Sequence, residues 1–158
     1  MSQYSADEIF QFAIKIEENG KNFYTDMAKK FSKNEKISNL FKDLSNQEVE
    51  HGNMFSSMLK KFQDYSPSES YPEEYFTYLR AYAENAIFSD EALKREKEKI
   101  TDLESALNFA IKRELESIHY YNELKNLVSS EDIKNIEQII EEERKHFSYL
   151  NKTKRELV

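Results

Sequence analysis

Cysteine is absent from this chain of 158 residues, which excludes disulfides, thiolate zinc sites and iron–sulfur centres built within it. Any metal must be held by carboxylate and imidazole. Glycine and proline occur only twice each, as Gly20, Gly52, Pro67 and Pro72, so the punctuation that strands and tight turns require is missing and long helices are the natural reading. No run of about 18 apolar residues occurs, and the amino terminus has no basic stretch leading into an apolar one. Neither a membrane span nor a signal peptide is therefore expected, and the expected setting is the cytoplasm. Cations are in deficit, with 23 Lys and Arg against 30 Asp and Glu and a formal charge of −7. Without a basic face to neutralise phosphates, no nucleic-acid partner is expected.

What is present suits amphipathic helices. Apolar residues make up 39% of the chain and charged ones 34%, with eleven Phe and ten Tyr to fill a core; a disordered chain would lack those aromatics. The length fits one domain spanning 1–158. Ser5 with Glu8, Ser32 with Glu35 and Thr101 with Glu104 each read as a capping box, and Ser129 or Ser130 before Glu131 and Asp132 marks a further helix start. Helices are thus expected at about 5–31, 33–62, 102–128 and 130–152. The connection 63–101 opens with a turn-like stretch around Pro67. Pro72 then suits a first helical turn, followed at helical spacing by Tyr75, Tyr78, Leu79, Tyr82, Ala86 and Ile87. A helix should cross over here, its aromatic stripe packed on the bundle or on a second subunit.

Each main segment carries a seam with apolar spacing of three and four, as in Phe10, Ala13, Glu17, Gly20, Tyr24, Met27 and Phe31, or Leu103, Leu107, Ala110, Glu114, Ser117, Tyr121, Leu124 and Val128. This is the pattern of a helical bundle, an all-α fold. Near its middle, every seam is interrupted by ionisable residues: Glu17, then Glu48 with His51, then Glu114, then Glu143 with His146. The chain also repeats itself. Ala13-Ile14-Lys15-Ile16-Glu17 followed by Phe23-Tyr24 matches Ala110-Ile111-Lys112-Arg113-Glu114 followed by Tyr120-Tyr121, and Glu48-x-x-His51 recurs as Glu143-x-x-His146. Two helix pairs joined by a long crossover can then meet with approximate two-fold symmetry and bring all six groups to one level.

Positions three apart lie on nearly one face of a helix, so each Glu-x-x-His pair can chelate. One Glu from each of two helices plus a Glu-x-x-His from each of two others is how helical bundles hold two first-row metals. Four carboxylates balance two divalent ions, whereas the same carboxylates without cations would crowd like charge in an apolar core. The donor set suits iron or manganese and does not exclude neighbours such as zinc. The third Glu-x-x-His pair, Glu116 and His119, shows how little the motif means alone. It is turned by about 160° and 140° from the Glu114 seam and should face away from the core.

The segments Ala13 to Gly20 with Phe23-Tyr24, Glu48 to His51, Ala110 to Glu114 with Tyr120-Tyr121, and Glu143 to His146 together resemble the rubrerythrin branch of the ferritin-like superfamily. The resemblance implies a ferritin-like antiparallel four-helix bundle with a long helical crossover between the second and third main helices. It also implies a carboxylate-bridged centre of two iron ions that reacts with peroxide or oxygen in oxidative-stress defence. Tyr24 and Tyr121 would hydrogen-bond the ligand carboxylates, although a plain core role stays open for each. Two departures stand out. Rubrerythrins proper carry a further ligand Glu where this chain has Ser117, and a rubredoxin-like cysteine site that is missing here. Electrons would then come from an external donor such as a rubredoxin-like protein. The short polar stretch after His146 lacks the fifth helix of bacterioferritin cages, which points to a homodimer. A ferroxidase or iron-storage role and a helical interaction module with structural metal are the competing readings.

Overall fold

The computed structural model describes residues 7–62, 73–86 and 90–157. Six α-helices are found among them: α1 (Asp7–Lys30), α2 (Glu35–Phe62), α3 (Glu73–Ala86), α4 (Asp90–Glu98), α5 (Leu103–Leu124) and α6 (Ser130–Leu157), with a 3₁₀ turn over Lys125–Leu127. Ser5, Pro67, Pro72 and Ile87 lie outside the described residues. None of the described helices is long and apolar enough to cross a membrane.

Two of the expected helix starts shift. Helix α2 is capped by Asn34, whose Oδ1 accepts from the Ile37 amide at 3.2 Å, because residues 31–33 form a turn and place Ser32 too early. At α5 the capping box is Asp102 with Ser105. The Ser105 amide donates to Asp102 Oδ1 at 2.8 Å and the Asp102 amide to Ser105 Oγ at 3.2 Å, and Asp outranks Thr at a cap. Ser129 does mark the start of α6, its Oγ accepting weakly from Asp132 N at 3.4 Å. Helix α5 ends near Leu124 rather than 128, and α6 runs five residues past 152, to Leu157.

Two apolar clusters show how the helices run. One joins the start of α1 (Ile9, Phe10, Ala13), the end of α2 (Phe55, Met58), the end of α5 (Tyr120, Leu124) and the start of α6 (Ile136, Ile139). The other joins the end of α1 (Phe23, Met27), the start of α2 (Ile37, Phe41), the start of α5 (Leu107, Ala110) and Leu150 of α6. Thus α1 and α2 form one antiparallel hairpin and α5 and α6 another, while α2 and α5 run the same way. Two successive bundle helices that run the same way need a long return between them, and α3 and α4 lie along it as two helices where the sequence suggests one. Leu79 and Ala83 of α3 are buried in the first cluster. Tyr82 donates to Glu116 O at 2.6 Å and Tyr75 to Glu123 O at 3.0 Å, so the aromatic stripe packs on the bundle.

Candidate metal centre

Between the two apolar clusters, α1, α2, α5 and α6 turn ionisable side chains inward at one level. Glu17, Glu48, His51, Glu114, Glu143 and His146 are all buried, none more than 5% exposed. Glu17, Glu48, His51 and Glu143 each offer one ligand atom within 4.8 Å of the others, and so do Glu48, Glu114, Glu143 and His146. Glu48 and Glu143 belong to both groups; Glu17 and His51 belong to one, Glu114 and His146 to the other. The structure therefore brings together every candidate ligand read from the sequence. His119 stands apart as expected, exposed on α5 with its Nε2 3.2 Å from the Tyr78 hydroxyl.

The two tyrosines cross between the halves. Tyr24 of α1 donates to Glu114 Oε1 on α5, and Tyr121 of α5 donates to Glu17 Oε1 on α1 at 2.6 Å. Burial and the neighbouring carboxylates push both phenols well above their ordinary range, so they remain donors. Each histidine presents Nδ1 to the carboxylates. His51 Nδ1 lies 2.7 Å from Glu143 Oε1 and 3.6 Å from Glu17 Oε2, while His146 Nδ1 lies 3.6 Å from Glu143 Oε2 and 3.8 Å from Glu114 Oε1. The Nε2 atoms point outward, that of His51 to Glu142 Oε2 and that of His146 to Gln47 Oε1, each at 2.5 Å.

Burying this much charge shifts every group. Desolvation and neighbouring carboxylates push Glu17 and Glu48 well above the usual carboxylate range, and Glu114 to about 8. Burial acts the same way on Glu143, but hydrogen bonds with Glu114, His146 and His51 outweigh it and hold that carboxyl below its ordinary value. Burial opposes charging of the histidines, yet hydrogen bonds to Glu143 and Glu142 raise His51 to about 9, and the nearby carboxylates of Glu114 and Glu143 raise His146 to about 10. Protons thus do the work that cations would do. Even so, Glu17 Oε2, Glu114 Oε2 and His146 Nδ1 stay buried without a hydrogen-bond partner. Two buried carboxylate oxygens left without a partner are suited to a cation, and the residues present fit two ions.

Sequence reasoning missed three contributors. Glu142 and Gln47 each stand immediately before the Glu of a Glu-x-x-His pair and four residues before its His, a shared position that could have drawn notice. Gly20 was visible in the seam without a reason. A Cβ there would lie 2.8 Å from Glu48 Oε2, so the missing side chain makes room for the Glu48 carboxylate. Ser117 is buried, but its hydroxyl donates to Arg113 O in its own helix at 2.9 Å.

Comparison with known proteins agrees with this geometry. A crystal structure from Thermotoga maritima, of a candidate ferritin-like di-iron-carboxylate protein, superposes with a TM-score of 0.69 and 28% identity over 98% of this chain and 97% of that one. No curated protein matches. The rubrerythrin family model matches residues 8–154, and with four helices converging on a buried carboxylate and histidine centre, the chain belongs to the rubrerythrin family.

Proposed function

We propose that this protein holds two iron ions through Glu17, Glu48, His51, Glu114, Glu143 and His146 and reduces hydrogen peroxide or oxygen with electrons from an external donor. The supporting observation is the pair of overlapping ligand groups that share Glu48 and Glu143, since a shared carboxylate can serve two ions at once. Iron in such a site supplies the electrons and an open coordination position. The chain supplies the rest. Tyr24 and Tyr121 hold Glu114 and Glu17 in place across the bundle, the Nδ1 atoms of His51 and His146 face inward where they would hold the ions, and the apolar clusters at either end keep bulk water out.

A groove of about 510 Å³ between α2 and α6, lined by Leu40, Leu44, Gln47, Lys145, His146 and Tyr149, reaches the His146 ring at the edge of the centre, where a small oxidant could approach. The same groove favours iron handling as a second reading, because an ion could also pass. With no cysteine in the chain to hold a relay iron, a rubredoxin-like protein is the proposed donor, acting on a cytoplasmic homodimer. The deciding experiment is anaerobic iron loading followed by stopped-flow mixing with peroxide or oxygen, with and without reduced rubredoxin. Sustained peroxide consumption that requires the donor is expected. Uptake of iron into a mineral without peroxide turnover would favour iron handling, and a metal that never changes valence would sink both.

A further inference from the structure

The six-ligand set is symmetric, but what stands behind it is not. His51 Nε2 faces a carboxylate, Glu142 Oε2, and His146 Nε2 faces a carboxamide, Gln47 Oε1, although Glu142 and Gln47 hold matching places in the internal repeat. The chemical difference is specific. A carboxylate can only accept, so it fixes the His51 ring with its hydrogen on Nε2 and the Nδ1 lone pair directed at the metal. A carboxamide can turn over and donate instead, which would place the hydrogen on Nδ1 and remove that lone pair from the site. Glu142 is itself steadied on α6, where Gln138 Nε2 lies 3.5 Å from its other oxygen. Access differs too. His51 has no exposed surface, whereas His146 and Gln47 form part of the wall of the α2–α6 groove.

We propose that the two metal positions are unequal: the His51 position, braced by Glu142, fills first and keeps its ion, while the His146 position, backed by Gln47 and open to the groove, exchanges its ion with solvent. This rests on the reading that the six side chains hold two ions. Glu142 and Gln47 are positioning residues that act through the histidines. The arrangement would give the protein one resident ion and one that comes and goes.

The test is titration of the metal-free full-length chain with Co²⁺, followed by its visible spectrum and by the shifted imidazole N–H resonances in proton NMR. Two steps are expected, separated by about ten-fold or more in affinity, with the first equivalent producing a single shifted N–H that is absent in His51→Ala. Glu142→Gln should weaken the first step by about 10–100-fold and merge the two, and Gln47→Glu should tighten the second. The double variant should reverse the order of filling. Since Glu142 is one-third exposed, helix content by circular dichroism should not change in its variant. Two equal steps in the native protein, or unequal steps that neither variant moves, would overturn the inequality while leaving two-ion binding intact. Absence of Co²⁺ uptake in the native chain would overturn the ligand assignment, and this proposal with it.

Discussion

The α1–α2 hairpin and the α5–α6 hairpin carry the same candidate ligands at matching positions, yet they are built differently around them. Behind Glu17, one turn on, stands Gly20, against which the Glu48 carboxylate lies; behind Glu114 stands Ser117, whose hydroxyl is tied to its own helix. Before Glu48 stands Gln47 and before Glu143 stands Glu142. Even the mid-helix partners differ, for Arg113 reaches across to donate to Ile16 O at 3.2 Å while Ile16, its counterpart in the repeat, has only its carbonyl to offer in return. Symmetry here extends to the six candidate ligands and the two tyrosines that cross to Glu114 and Glu17, and little further. The surroundings are free to differ, and they decide how firmly each ligand is held.

The comparison breaks most completely at the two shared carboxylates. Glu48→Gln and Glu143→Gln should each cost both ions, measured by equilibrium dialysis, because each residue belongs to both ligand groups. His51→Ala should cost chiefly one. If either Glu variant still binds one ion with native affinity, the shared role is wrong.

The metal-free centre should also reveal itself through pH. A group whose folded pKa is raised contributes stability that is full below its unfolded value and gone above its folded one. Glu114, raised from 4.5 to about 8, and His51 and His146, raised from 6.5 to about 9 and about 10, all act in this direction. Glu143 acts oppositely, and its contribution is lost as pH falls below the ordinary carboxylate range. Thermal melts in a chelator should therefore decline from about pH 5 to about pH 10. Metal-loaded protein should gain stability over the metal-free form as pH rises, since the ions displace those protons. A chelated protein whose melting temperature rises through this window would contradict the assigned electrostatics.

A smaller effect is expected at the crossed tyrosines. Tyr24→Phe and Tyr121→Phe each remove a buried hydrogen bond to a ligand carboxylate, at a cost of roughly 1–3 kcal/mol in the metal-free protein. Chemical denaturation of both variants would sharpen the comparison, because equal losses would mean that the two halves hold their lone carboxylates alike. Unchanged stability in both would show that these bonds do not act as argued.

The smallest contrast lies at Gly20 and Ser117. Gly20→Ala gains roughly 1 kcal/mol of helix propensity but places a methyl carbon 2.8 Å from Glu48 Oε2, so the flexible carboxylate must move. Metal affinity should fall several-fold while the melting temperature of the metal-free protein holds or rises. Ser117→Ala should leave both within about 0.5 kcal/mol of native. Matched effects in calorimetry and metal titration would erase the distinction drawn between these positions.

The six clustered carboxylate and imidazole residues, the bundle seams, the crossover and the repeat were all legible in the sequence, because they depend on spacing along single helices and helical geometry is local. Turn details were less so. Asn34 replaced Ser32 and Asp102 replaced Thr101 as caps, since several short polar residues compete within a residue or two and only the path of the preceding chain chooses among them. What the sequence could not specify were the relations between helices. That Tyr24 reaches Glu114 rather than Glu17 on its own helix, that Glu142 meets His51, and that Gly20 lies under Glu48 all depend on how far one helix slides and turns against another. That offset is set by the interlocking of Phe, Tyr and Leu side chains in the two apolar clusters, so the candidate ligands follow from the sequence itself, while the partners that hold them were decided by tertiary packing.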